Sequence, residues 1–149
     1  MTTIRTMKDV GGHPVVAIDS AEEVGSVKHF VVSSDGRRIE RLHIDGRRKH
    51  AVFARWDDLE SFGADRVMVR SADAPSESDD ERDRGAASGD VSLLGARVLD
   101  TAGFERGEVE DASFDAESGE ITGILTTEGA EVPATAIRSL GSYALVVDA

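Results

Sequence analysis

The chain has 149 residues, which is enough for one ordinary domain or two very small ones. It carries a net charge of −12 and no cysteine, which excludes disulfides and thiolate metal sites and makes the chain as a whole too acidic for a general nucleic-acid binder. No apolar run approaches the ~20 residues that span a bilayer, and the N-terminus lacks the pattern of a signal peptide, so we expect a cytoplasmic protein without membrane insertion.

The first half of the chain has the pattern of short strands. The dipeptide Asp35-Gly36 lies between two strand-like runs, which is a strong hairpin signal. In the return run Leu42 and Ile44 fall on one face, as expected for a strand with one buried side. In chain order we predict strands at 14–18, 26–32, 38–44, 51–54 and 66–70, with a helical turn at 56–63.

Residues 72–90 differ sharply in composition from the segments on either side. They contain seven acidic and two basic residues, and no aromatic or branched aliphatic residue. Such a segment buries too little apolar surface to offset the entropy lost on ordering. We therefore predict a disordered acidic linker at 72–90, with an acidic surface loop as the alternative.

The second half repeats the pattern of the first. Strands are predicted at 96–99, 107–114, 121–125 and 143–147, with a helical turn at 136–141. Equivalent positions stay 78 to 83 residues apart, and the gaps fall at turns. The repeat predicts two β units, at 1–71 and 91–149. The predicted core residues are Val27, Val31, Leu42, Ile44, Val109, Ile124 and Val147.

The order of these motifs resembles the PRC-barrel family, and it occurs twice. The first copy carries it at Ile18-Asp19-Ser20, Val24-Gly25, Asp35-Gly36, Leu59, Phe62-Gly63 and Val67-Met68-Val69. The second carries it at Leu99-Asp100-Thr101, Gly107, Gly119, Val132-Pro133, Ile137 and Leu140-Gly141. The resemblance implies an all-β fold of two small PRC-type β-barrels with short helical turns, joined by the acidic linker. The family is known from the cytoplasmic part of the photosynthetic reaction-centre H subunit and from the C-terminal domain of the ribosome-maturation factor. It serves as an adaptor and shares no catalytic residues.

The candidate interaction patch is mainly basic and lies on and after the predicted hairpin. Its members are Arg37, Arg38, Arg41, Arg47, Arg48, Lys49, His50 and Trp56. The basic side chains are consistent with a solvated face, with a site for an acidic partner or the chain's own linker at 73–83, or with a nucleic-acid site. The last is disfavoured because no aromatic residues interleave with the charges. Trp56 is consistent with either a core anchor or an interface residue.

No reactive constellation accompanies this patch. The histidines lack the helical spacing of a zinc site, and no nucleophile elbow or phosphate-binding glycine loop occurs. We predict no catalytic, cofactor-binding or metal residues. The expected function is a non-catalytic adaptor that binds a protein partner and forms a possible homodimer; the alternative is an RNA- or ribosome-associated factor that uses residues 37–50.

Overall fold

The computed structural model describes residues 3–46, 51–78 and 80–149. Within these ranges the strands form two sheets, which confirms the all-β prediction. The helices of this described part are α1 (Met7–Val10) and α2 (Glu81–Ser88), and both fall well short of the length needed to span a bilayer.

The first sheet has the strand order β5-β4-β3-β2-β7-β6. The strands of this sheet are β2 (Pro14–Ala17), β3 (Glu23–Val32), β4 (Ile39–Asp45), β5 (Val52–Arg55), β6 (Leu59–Phe62) and β7 (Val67–Val69). The first strand of the chain, β1 (Ile4–Thr6), is not part of this sheet. The parallel pair is β2 with β7, and the others are antiparallel. The hairpin predicted at Asp35-Gly36 is confirmed, since it joins β3 to β4.

The second sheet repeats this order as β11-β10-β9-β8-β13-β12. Its strands are β8 (Arg97–Asp100), β9 (Glu105–Asp115), β10 (Ile121–Thr126), β11 (Glu131–Pro133), β12 (Ile137–Leu140) and β13 (Leu145–Val147). Each has a counterpart in the first sheet, and β8 again pairs in parallel with β13. The pairings of the described residues run from edge to edge, and none closes either sheet into a barrel.

The predicted helical turns are correct only in their first residues. A 3₁₀ turn occupies Trp56–Asp58, and its counterpart occupies Ala134–Ala136. The residues that follow are strands, because β6 pairs with β7 and β12 pairs with β13. A segment of four residues is too short to hold a helix by itself, so tertiary pairing decides its conformation.

The segment before each unit packs on the other unit. Strand β1 pairs with β9, and α1 packs on the same strand of the second sheet. Conversely, α2 packs on β3 and β4 of the first sheet. An arginine in each of these segments bonds to an equivalent backbone carbonyl. Arg5 donates to the carbonyl of Phe62, and Arg82 donates to the carbonyl of Leu140, which is the repeat counterpart of Phe62. The predicted boundary at 1–71 therefore does not describe β1 and α1, which belong spatially to the second unit.

The segment predicted as a disordered linker, 72–90, contains an ordered helix. Helix α2 begins after Asp80, whose carboxylate accepts from the backbone N–H groups of Arg82 and Asp83, and it ends at Gly89 in the left-handed conformation. Asp83 and Ala86 are buried. Composition missed this order because the apolar surface that covers the helix comes from the first sheet and not from the segment itself.

The ends of the two hairpins meet at a pair of equivalent residues. Arg38 and Glu120 form an antiparallel bridge between the units. The N–H of Ile39 donates to the carbonyl of Gly119 at 2.8 Å, and the N–H of Ile121 donates to the carbonyl of Arg37 at 2.8 Å. Because Ile39 and Ile121 are repeat counterparts, the two hydrogen bonds are related by an approximate twofold axis.

One hydrophobic cluster spans both units. It contains six of the seven predicted core residues, and the seventh, Val31, is buried in a smaller cluster on the other face of the first sheet. At its centre Phe114 of β9 is fully buried, with its ring 5.7 Å from Phe62 and 6.2 Å from Trp56. The two units therefore share a core, as their small size requires.

The aspartates of the two Asp-Ser and Asp-Thr motifs are not equivalent. Asp100 pairs with Val147, whereas Ala17 pairs with the counterpart of that valine, Val69. Asp19 lies beyond the end of β2 and accepts from the backbone N–H of Ala72. In the structure Asp100 is therefore equivalent to Ala17, two residues before the Asp19 that the motif comparison matched with it.

The close contact at Gly119 predicts a specific effect of substitution. A Cβ at this position lies 2.9 Å from the Trp56 ring, whereas a Cβ at Gly129 meets nothing within 4 Å; both glycines have positive φ. We expect Gly129→Ala to lower the free energy of unfolding by about 1–2 kcal/mol from backbone strain alone. Gly119→Ala should cost about 1–3 kcal/mol more, because it overpacks the boundary between the units. Urea denaturation measures both, and equal losses in the two variants contradict the described packing.

Candidate functional site

The predicted basic patch is only partly within the described residues. Residues 47–50 lie outside them. Arg37 faces the second unit, where its Nε and Nη2 donate to the carbonyl of Ile137 at 3.0 and 2.8 Å. The guanidinium of this arginine joins the two units, and the residue itself is exposed.

Arg41 binds the segment that was predicted as a linker. Its guanidinium lies 3.2 Å from the carboxylate of Asp83, which is completely buried. The chain's own acidic segment was one of the occupants considered for the basic face, and at Arg41 the structure places Asp83 of that segment.

Trp56 lies at the boundary between the units. Its ring stacks on Phe62 with a centroid distance of 5.3 Å, and its Nε1 donates to the carbonyl of Glu117 of the second unit at 3.1 Å. Trp56 therefore packs on the core and joins two units of one chain, and a role at an interface with a partner stays a prediction.

The remaining described patch residue, Arg38, is exposed and lines an open cleft of about 530 Å³ together with Arg55, which was not predicted as part of the patch. The same cleft is lined by Glu40 and Asp57, so its charge is mixed. The described part of the patch is thus not a continuous basic surface.

A different surface, which the sequence analysis did not identify, is formed by two aromatic residues and two arginines of the second unit. We call it the aromatic–arginine surface; it consists of Arg97, Phe104, Arg106 and Tyr143. Tyr143 is 69% exposed and Phe104 is 63% exposed. Exposed apolar patches, rather than single exposed side chains, mark contact surfaces, so the surroundings of these two rings decide what they can do.

Each aromatic ring of this surface carries an arginine. The guanidinium of Arg97 lies 4.5 Å from the Tyr143 ring centroid, and that of Arg106 lies 5.9 Å from the Phe104 centroid. Arg97 also forms a 3.1 Å ion pair with Glu105, the residue between Phe104 and Arg106 in the chain.

Asp100 holds the base of this surface in place. Its buried carboxylate accepts from the backbone N–H of Ala102 and of Phe104 and from Nε of Arg106. The hydrogen bond from Phe104, followed by that from Arg106, holds the pKa of Asp100 below its ordinary value. The turn that presents Phe104 is therefore fixed by hydrogen bonds to a charged group.

A histidine pair lies on the outer face of the first sheet. His29 and His43 are direct cross-strand neighbours, their Nδ1 atoms are 2.9 Å apart, and the His43 ring packs on Phe53. One Nδ1 must donate and the other accept, so the pair needs at least one neutral ring. In the described residues no group of three or more such ligands is placed to hold a metal ion.

Neither the histidine pair nor the aromatic–arginine surface can be recognised from residue spacing alone. The histidines are fourteen residues apart and become neighbours because the register shifts between Val27 and His29. The exposed aromatic residues could have been found from the repeat, since neither has an aromatic counterpart in the first copy.

Comparison with known proteins finds no matching family model and no matching curated protein.

The histidine pair predicts a pH dependence of stability. Burial, followed by the charge of Lys28, lowers the pKa of His29; burial and the charges of His29 and Lys28 lower the pKa of His43, against a smaller opposing effect of Asp45. Below the unfolded-state value of about 6.5 the unfolded chain binds more protons, so stability should fall as the pH drops toward the lowered pKa values.

Urea midpoints between pH 7.5 and 5.5 measure this slope. The double variant His29→Gln/His43→Gln should flatten it. An unaltered slope in the double variant shows that the pair does not couple protonation to folding.

Proposed function

We propose that this protein is a non-catalytic, cytoplasmic adaptor of the tandem PRC-barrel type that binds a protein partner through the aromatic–arginine surface. The repeat of strand order supports the family proposal, because one topology occurs twice along the chain. The exposed pairs of the second unit support the partner-binding proposal.

The repeat provides an internal control for this surface. Tyr143 lies two residues before β13, and Asp65 occupies that place before β7. The carbonyl of Phe104 accepts from Asp100, and in the first unit the carbonyl of Glu22 accepts from Ala17 in the same way. The fold forms with acidic residues at both positions, so it does not require the aromatic side chains.

The composition of the surface is that of an interface centre. Tyrosine and arginine are enriched among residues that dominate binding energy. Beside Tyr143 and Arg97 lies an open cleft of about 330 Å³, also lined by Gly95 and Ser142, which offers a place for a partner side chain. The arginines are oriented by ion pairs, which lowers the entropy lost on binding.

Self-association is part of the same proposal. Each sheet has edge strands, and β11 is a short, largely exposed edge of the second sheet. Such edges are available for pairing with a second copy. We expect light scattering during size-exclusion chromatography to give twice the mass of one chain; a monomer at high concentration removes this part of the proposal.

The alternative of RNA or ribosome binding has less support from the described residues. Arg37 and Arg41 are engaged within the chain, and Arg38 and Arg55 share their cleft with carboxylates. Fewer free cations mean fewer released counterions. Co-sedimentation with ribosomes at low salt tests the alternative directly.

The partner-binding proposal predicts a large effect of one side chain. Tyr143→Ser should reduce capture of the partner from cytoplasmic extract by about 30-fold, which corresponds to about 2 kcal/mol. The matched control is Ile18→Ser, which removes a side chain that is 51% exposed on the first unit. It should change capture by less than ~3-fold. Quantitative mass spectrometry of the captured proteins measures both, and equal capture by wild type and Tyr143→Ser contradicts the proposal.

A further inference from the structure

The outer face of the first sheet is occupied by an acidic segment of the same chain. We call residues 74–78 and 80–88 the acidic strap. Its first part adds to the edge of the sheet: Phe53 of β5 and Ser76 exchange two backbone hydrogen bonds of 2.8 and 3.0 Å. This is the geometry by which an extended peptide binds at a sheet edge.

The second part of the acidic strap is helix α2, which packs on the face of the sheet. Ala86 is buried against Val31 and Phe53, and Ala87 packs beside them. Asp83 is completely buried, forms the ion pair with Arg41, and accepts from the hydroxyl of Ser78 at 2.5 Å. The contact thus combines small apolar side chains with one carboxylate aimed at a basic residue.

The first sheet is specialised for this contact, and the second is not. The outer face carries the cross-strand pair Arg41 and Arg55 on the first sheet, and the counterparts on the second are Gly123 and Pro133. The counterpart of Phe53 is Glu131. Since the repeat folds with both sets, the basic and aromatic residues are not needed for the sheet itself.

The helix of the strap has little stability of its own. It has eight residues and contains Gly85 in its interior. A helix of this length is marginal in water, and interior glycine weakens it further. It is therefore held by its contacts with the sheet and is expected to open locally more often than the core.

From these contacts we infer that the outer face of the first sheet is a binding site for an acidic peptide segment of a partner protein, and that the acidic strap is its built-in competitor. This inference rests on the proposed adaptor function. The ligand is an extended stretch followed by a short helix, with a carboxylate for Arg41 and small residues against Phe53. Because the strap is tethered, its effective concentration is on the order of millimolar, so an outside ligand must bind more tightly or wait for local opening.

The probe for this site is a fluorescent synthetic peptide of residues 74–90. The acceptor is the full-length chain in which the acidic strap is replaced by Gly and Ser, except at Arg82, whose guanidinium joins carbonyls of both sheets. We expect saturable binding measured by fluorescence anisotropy, at least ~10-fold tighter than to the intact chain. Arg41→Met in the same acceptor should weaken binding by at least ~10-fold, and so should Asp83→Asn in the peptide. The control Arg138→Met, at an exposed arginine of the second unit, should leave it unchanged.

Absence of saturable binding by a folded acceptor overturns the inference, and so does binding that is indifferent to Arg41. If replacement of the strap unfolds the chain, the strap is a structural element and not an exchangeable occupant, and the inference is wrong. Hydrogen exchange of the intact chain gives an independent check: amides of Gly85–Ala87 should exchange at least ~100-fold faster than that of Leu42. None of these measurements uses the aromatic–arginine surface or its partner, so this inference and the adaptor proposal can fail separately.

Discussion

The two sheets are held together by a reciprocal insertion of their β-hairpins. The turn at Gly36 packs against Ile137 and Leu145 of the second unit, and the turn at Gly119 packs against Trp56 of the first. Between them the Arg38–Glu120 bridge satisfies backbone groups that would otherwise be buried without partners. Neither unit has a complete core without the other, so this contact determines where every other surface of the molecule lies.

The exchange of N-terminal segments follows from the same constraint. A unit of about sixty residues is marginal by itself, and each gains buried surface when it receives a segment that precedes the other. On the second sheet this segment is β1 with α1; on the first it is α2, with a carboxylate on Arg41. The two units thus differ around one topology: the first places Arg41 and Phe53 under an acidic cover, and the second presents the aromatic–arginine surface to solvent.

Local patterns in the sequence predicted the strands well, because β-branched runs, Asp35-Gly36 and the repeat offset report local backbone preference. They did not predict α2, because its order depends on Val31 and Phe53, which are distant in the chain. The partners of two patch residues were also beyond local patterns: strand parity suggests that Arg37 and Arg41 share one side, and it does not show that Ile137 and Asp83 bind them. The residues 47–50 of that patch lie outside the described ranges, so this part of it stays a prediction.

Native-state hydrogen exchange tests the shared core most directly. Ile39 and Ile121 each donate an N–H across the boundary between the units. If the units fold only together, these two amides and the slowest amides of both sheets should exchange with one common opening free energy, equal to the global value from urea denaturation. Different opening energies for the two sheets, or rapid exchange of Ile39 and Ile121 while both sheets stay protected, would show that each unit folds without the other.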